Sequence, residues 1–238
     1  MNTIEYFKIE SFSTVDGFGN RMVVFLNHCP YRCVYCHNPE CWFKSKKKIN
    51  VKKIIVEFEK TKEFYKNGGI TLSGGEPLIQ YDFCKELAKE CKKRNINLCI
   101  DTSGYFFDKK KISKLLENDV FFLIDIKHTV KKWHKKITNK SNTNELKLIN
   151  FLEQKKHKYW IRFVYAKKYT DQDINIKNIK KIISKLIFME RFEILPLHIL
   201  AKEKYKSLGI KYKMNKENIP NSKEIENLKN FLDDKRVF

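Results

Sequence analysis

The sharpest chemical feature is three cysteines within eight residues, Cys29-Pro30-Tyr31-Arg32-Cys33-Val34-Tyr35-Cys36. Thiolates at C-x3-C-x2-C spacing can wrap one compact metal centre. A cubane iron–sulfur cluster held by three cysteines keeps one iron open to a small molecule, whereas a four-cysteine site is closed. The alternative is a structural zinc site, which needs a fourth ligand: His28, His37 or Cys41. Zinc sites usually pair two separated C-x2-C knuckles, which favours iron.

Other groups stand at the ends of apolar runs. Ser73-Gly74-Gly75-Glu76-Pro77 has two glycines that let the backbone approach a ligand closely, although such a pair by itself also makes an ordinary turn. Asp101-Thr102-Ser103-Gly104 and Asp125-Ile126-Lys127 each close a strand-like run. There an acid or lysine faces the ligand side of an α/β barrel, or else caps a helix or meets solvent. Arg162, inside Trp160-Ile161-Arg162-Phe163-Val164, needs an anionic partner, either a ligand carboxylate or an internal acid. His198 follows another apolar run and reads as a ligand contact or a structural hydrogen-bonder. Cys84, Cys91 and Cys99 lie on apolar faces and read as core.

The elements that must hold these groups alternate along the chain. Apolar, β-rich runs at Met22–Leu26, Gly69–Leu72, Asn97–Ile100, Val120–Ile126, Tyr159–Tyr165 and Phe192–Leu197 predict strands. Helical spacing predicts helices over Val51–Lys66, Phe83–Arg94, Lys109–Glu117, Asn144–Lys156, Ile174–Leu186 and Ser222–Leu232. Such alternation implies an α/β fold with a mainly parallel sheet. About six units are too few for a closed eight-fold barrel, so the expected architecture is a partial (β/α)6 TIM-like barrel. The absence of an internal linker or repeat predicts a single domain over 1–238.

The net charge of +21 invites a nucleic-acid reading. Against it, the basic residues are 43 Lys and only six Arg, spread along the whole chain, whereas nucleic-acid sites favour Arg. The lysines, with abundant Ile and Asn, fit an AT-rich coding sequence and a solvated basic surface able to meet an acidic protein. Apolar runs of strand length predict no membrane span. The N-terminus lacks a basic segment followed by an apolar one, so the chain is expected to be cytoplasmic.

The triplet with its aromatic Tyr35 resembles the signature of the radical S-adenosylmethionine superfamily. Ser13-Thr14-Val15-Asp16-Gly17-Phe18-Gly19-Asn20-Arg21 before it, and His37-Asn38-Pro39 after it, resemble the glycyl-radical enzyme activating family. Between His37 and Ser73 the only further cysteine is Cys41, so the chain resembles the compact type without a ferredoxin-like insert. It departs from the family at Phe18, where Pro is usual, and at Asn20, where an aliphatic residue is usual. The resemblance implies a [4Fe-4S] cluster on Cys29, Cys33 and Cys36, with S-adenosylmethionine chelating the open iron. It implies cofactor contacts from Tyr35, Cys36, His37, Gly74, Gly75, Glu76, Asp125, Ile126, Lys127, Arg162 and His198, and a monovalent cation on Asp101, Thr102, Leu123 and Asp125. The implied partners are a glycyl-radical enzyme of the pyruvate formate-lyase (formate C-acetyltransferase) type and a flavodoxin-type electron donor. A monomer that binds neither nucleic acid nor membrane is expected.

Overall fold

A computed structural model describes residues 3–141 and 143–238; Met1 and Asn2, at the start of the N-terminal segment read above, lie outside the described residues. Among the described residues the strands are β1 (Thr3–Ser13), β2 (Arg21–Leu26), β3 (Lys48–Asn50), β4 (Gly69–Gly74), β5 (Asn97–Thr102), β6 (Phe121–Asp125), β7 (Tyr159–Tyr165) and β8 (Met189–Pro196). The helices are α1 (Val51–Lys60), α2 (Tyr81–Lys93), α3 (Lys109–Leu116), α4 (Lys131–Thr138), α5 (Thr143–Gln154), α6 (Asp173–Ile183), α7 (Lys202–Ser207) and α8 (Ser222–Leu232).

The hydrogen-bonded strand order is β3-β1-β2-β4-β5-β6-β7-β8. β2 lies beside β4, and from β4 onward each strand neighbours the next in chain order, as in a partial (β/α)6 barrel. Pairings β2–β4, β4–β5 and β7–β8 are parallel, while β1 pairs antiparallel with both β2 and β3. The six strands expected from the sequence are all present. The strands β1 and β3 and the helices α4 and α7 are additions.

By compactness the chain divides into two units, Met1–Pro30 with Glu40–Leu123, and Tyr31–Pro39 with Ile124–Phe238. In the first, β2 is buried along its whole length and β4 nearly so. Helix α1 buries Val51, Ile54, Ile55 and Phe58, and α2 buries Phe83, Cys84, Leu87, Ala88 and Cys91, the faces expected from helical spacing. Asn50 and Asp108 cap α1 and α3 by accepting from the N–H groups of Lys53 and Lys111. In the second unit, α6 packs Ile176, Ile179 and Ile183 inward, and α8 starts from a capping box of Asn221 and Glu224. The C-terminal tail pairs alongside β8: Phe192 N–H donates to Arg236 O (2.8 Å) and Ile194 N–H to Phe238 O (2.9 Å). Among the described residues no helix is long and apolar enough to cross a membrane.

Candidate active site

In the first unit β2 leads toward Cys29 and β4 ends at Gly74. The N–H groups of Gly75 and Glu76 donate to Leu26 O and His28 O, both at 2.8 Å. A side chain could not be tolerated there. A Cβ on Gly74, whose φ is +98°, would lie 2.6 Å from Leu26 N, and one on Gly75 would lie 2.3 Å from His28 O. The glycines therefore exist to bring one strand end against the backbone that precedes Cys29.

The Glu76 side chain is fully buried and turns inward. Oε1 accepts from Thr102 Oγ1 (2.5 Å) and Leu78 N (3.1 Å); Oε2 accepts from Ser103 Oγ (2.5 Å) and Ser103 N (2.9 Å). Burial pushes this carboxyl upward against those donors. With the Glu76 carboxylate turned inward and the N–H groups of Gly75 and Glu76 engaged, the polar groups that this segment leaves for a ligand are backbone carbonyl oxygens. Asp101 Oδ2 accepts from Ser73 Oγ (2.7 Å) at the end of β5, and the Thr102 hydroxyl is committed to Glu76.

The loop before β2 turns around Arg21, which is completely buried. Its guanidinium donates to Thr71 Oγ1 (2.6 Å), Ile70 O (2.7 Å) and Asn97 Oδ1 (2.9 Å). Phe18 lies against that guanidinium (5.2 Å) and edge-on to Phe121 (5.4 Å), and Asn20 Nδ2 donates to Phe64 O (3.0 Å). Both departures from the family pattern thus have local partners.

In the second unit the segment Tyr31–Pro39 is fastened to the end of α4: Arg32 N–H donates to Thr138 O and Val34 N–H to Ile137 O, each at 3.0 Å. Cys36 N–H closes a turn on Cys33 O (2.9 Å). Tyr35 is buried, its hydroxyl has no hydrogen-bond partner among the described residues, and burial raises its pKa. Lys127 Nζ lies 2.7 Å from Asp125 Oδ2. Burial acts to lower the Lys127 pKa, but Asp125, Cys33 and Tyr35 outweigh it and hold the ammonium charged well above its ordinary range. Ile126 N–H donates to Arg162 O (2.9 Å), tying β6 to β7.

His37 and His198 meet edge to face, 4.7 Å between ring centres, so two of the residues expected to contact the cofactor come together. Lys204, which sequence reading missed, donates to His37 O (3.0 Å) and Asn38 Oδ1 (2.9 Å). Arg162 has an internal acid: Nε lies 3.4 Å from Glu193 Oε2, its register partner on β8. The structure thus supplies the salt bridge that the sequence left as one of two choices.

Of the alternative zinc ligands, His28 Nε2 meets Glu5 Oε2 (3.2 Å), His37 meets His198, and Cys41 is buried. Among the described residues no three His, Cys, Asp or Glu side chains converge as a metal site. The fit to a cluster therefore rests on the donor set. It consists of three soft thiols in eight residues, with a half-buried Lys127 whose charge interacts with that of Cys33.

Sequence reading also missed a buried polar group beside the cysteine segment. Tyr31, His134 on α4 and Glu145 on α5 meet there, more than a hundred residues apart at the extremes, and no spacing rule links them. Burial pushes the Glu145 carboxyl up to about 7, against His134, Lys127 and Tyr31, which favour its ionised form.

Comparison with known proteins extends this geometry. The Radical SAM superfamily profile matches residues 23–176. The pyruvate formate-lyase-activating enzyme of Staphylococcus epidermidis is 36% identical over 227 residues, covering 92% of this chain and 90% of that protein. Its Staphylococcus aureus counterpart is 35% identical over the same shares. A solved domain of the pyruvate-formate lyase-activating enzyme from Bacteroides vulgatus superposes with a TM-score of 0.59 at 23% identity, over 69% of this chain and 92% of that one. SuiB of Streptococcus suis, solved bound to S-adenosylmethionine, shares the fold with a TM-score of 0.66 at 15% identity, over 86% of this chain and 44% of that one. The chain belongs to the radical SAM superfamily and, within it, to the family of pyruvate formate-lyase-activating enzymes.

Proposed function

We propose that this protein activates a glycyl-radical enzyme of the pyruvate formate-lyase type. The observation that carries the reading is identity above one third across nine-tenths of the chain to enzymes of that name, with the cysteine triplet inside the matched superfamily region. A [4Fe-4S] cluster held by Cys29, Cys33 and Cys36 would supply the electron for reductive cleavage of S-adenosylmethionine to methionine and a 5′-deoxyadenosyl radical, the species that would take the Cα hydrogen of a glycine in the partner.

The roles of individual residues are our assignment. Cys29, Cys33 and Cys36 hold the cluster. Carbonyl oxygens of the segment at Gly74, Gly75 and Glu76 accept from the cofactor's amino group, while the Glu76 side chain keeps that segment rigid. Backbone at Tyr35, Cys36 and His37, with the His198 ring, receives the adenosine. Lys127, oriented by Asp125, and Ile126 line the same site. Arg162 supplies positive charge already shared with Glu193. A monovalent cation on Asp101, Thr102, Leu123 and Asp125 is assigned beside the cofactor's carboxylate, with Thr102 contributing while bound to Glu76. We further assign a flavodoxin-type donor, a cytoplasmic location, a monomer, and action of residues 1–238 as one domain. The superfamily match, which crosses from the first compact unit into the second, supports the last of these.

The test is anaerobic reconstitution with iron and sulfide, reduction by dithionite, and electron paramagnetic resonance with and without S-adenosylmethionine, followed by incubation with pyruvate formate-lyase. A reduced cubane signal that changes with the cofactor, and a glycine-centred radical in the partner, are expected. A cluster signal with no radical in pyruvate formate-lyase redirects the search to another glycyl-radical enzyme. Retained zinc and no cluster overturns the proposal.

A further inference from the structure

The buried group beside the cysteine segment has a consistent proton arrangement. Tyr31, between the first two cysteines, donates its hydroxyl to Glu145 Oε2 (3.3 Å), and His134 Nε2 lies 3.4 Å from the same oxygen. The Tyr31 and His134 rings meet edge to face at 5.5 Å. The side chains of His134 and Glu145 are 0% and 1% exposed. On its other side the imidazole places Nδ1 2.9 Å from Lys140 O, a carbonyl that can only accept, so Nδ1 carries the hydrogen. In the neutral ring Nε2 is then an acceptor aimed at Glu145, and one proton completes the pair: a carboxylic acid donating to Nε2 and accepting from Tyr31.

The same helix holds the segment through its backbone, by the bonds from Arg32 and Val34 to Thr138 and Ile137. Three independent links thus join the residues around Cys33 to α4 and α5. Three apolar side chains could fill the same space. A buried polar trio is more demanding of geometry, because displacing it takes the Tyr31 hydroxyl from Glu145 and the His134 ring from Lys140 O without water to replace them.

We propose that Tyr31, His134 and Glu145 are positioning residues, a buried polar brace that fixes the segment carrying Cys33 and Cys36 and thereby governs how firmly a cluster is held there. This rests on the assignment of those cysteines as cluster ligands. Outer partners that orient metal ligands typically contribute about 10–100-fold to metal retention.

The experiment compares anaerobically reconstituted wild type with Tyr31→Phe, Glu145→Leu and Glu145→Gln. Three readouts are taken: iron release to a chelator, the resonance spectrum of the reduced cluster, and melting of the protein before iron is added. Tyr31→Phe, which removes a single hydroxyl, is expected to release iron roughly ten-fold faster and to alter the spectrum. Glu145→Leu is expected to do so at least as strongly. Glu145→Gln is expected to rescue, because its NH2 reaches both Nε2 and the Tyr31 oxygen. Wild-type release rates and spectra in Tyr31→Phe overturn the brace, and that variant decides if Glu145→Leu does not fold. Glu145→Gln behaving as Glu145→Leu overturns the shared-proton arrangement. Failure of the wild type to load any cluster is a different result, and it removes the ligand assignment itself.

Discussion

Replacing Glu76 by Gln tests whether Gly74–Glu76 serves as a backbone cradle. Each carboxylate oxygen accepts from one backbone N–H and one hydroxyl, at 2.5–3.1 Å. An amide has the same outline, but one end can only donate. Hydroxyls rotate to accept; backbone N–H groups cannot. In either amide orientation the N–H of Leu78 or of Ser103 therefore faces an NH2 group in a fully buried site. A buried donor left unsatisfied costs about 1–3 kcal/mol, and weakening of charge-assisted bonds adds to it, so about 3 kcal/mol is expected for Glu76→Gln. For a 238-residue chain this is a fall in melting temperature of roughly 6–12 °C. The assay is thermal unfolding by circular dichroism without added iron, beside S-adenosylmethionine binding to the reconstituted protein. If Glu76→Gln melts with the wild type yet binds the cofactor poorly, the carboxylate belongs on the ligand and the cradle reasoning is wrong.

Four further outcomes are expected. Gly75→Ala, whose Cβ would sit 2.3 Å from His28 O, is expected to lose iron on reconstitution. Gly209→Ala, with nothing within 4 Å and φ +66°, is expected to keep its iron at a stability cost of about 1 kcal/mol for the left-handed backbone. Iron and sulfide analysis is expected to show Cys41→Ala loading like the wild type, while Cys29→Ala, Cys33→Ala and Cys36→Ala each fail; loss of iron in Cys41→Ala would reopen the zinc-type ligand set. Glu145 gives a pH signature. Burial raises its pKa from the ordinary carboxylate value of 4.5 to about 7, so between those values the folded chain holds a proton that the unfolded chain has released. The stabilisation is complete below the unfolded value and is lost as pH rises through 7, about 3 kcal/mol in all. Urea unfolding at pH 5 and pH 8 is expected to show that decline in the wild type and a flatter profile in Glu145→Gln.

What the sequence disclosed depended on periodicity. Strands β2 and β4 to β8 are largely buried and apolar, so their runs stood out, as did the one-sided faces of α1 and α2. Strand β1 escaped because it is largely half-exposed and carries Glu5, Lys8 and Glu10 among its apolar residues. Helix α4, Lys-Lys-Trp-His-Lys-Lys-Ile-Thr, buries only His134, Ile137 and Thr138, too few to set a period against four lysines. At the site, the triplet and Gly74-Gly75-Glu76 were legible because close spacing in sequence enforces closeness in space. The carboxylate of Glu76 was legible as a motif but not in its inward orientation. The partner of Arg162 depends on parallel register with β8, and the meeting of Tyr31, His134 and Glu145 depends on packing between distant helices. Neither leaves a local trace.

The two backbone bonds from the cysteine segment to the end of α4 have a consequence for biogenesis. The ribosome releases Arg32 and Val34 about a hundred residues before Ile137 and Thr138, which at ~5–20 residues per second is a wait of roughly 5–20 seconds. Throughout that interval the thiols of a nascent chain have no anchored backbone to arrange them, and they are open to air or a stray metal. An anchored cysteine segment therefore has to wait for a chain that has been made past α4, and that timing is written into which residues hold the loop.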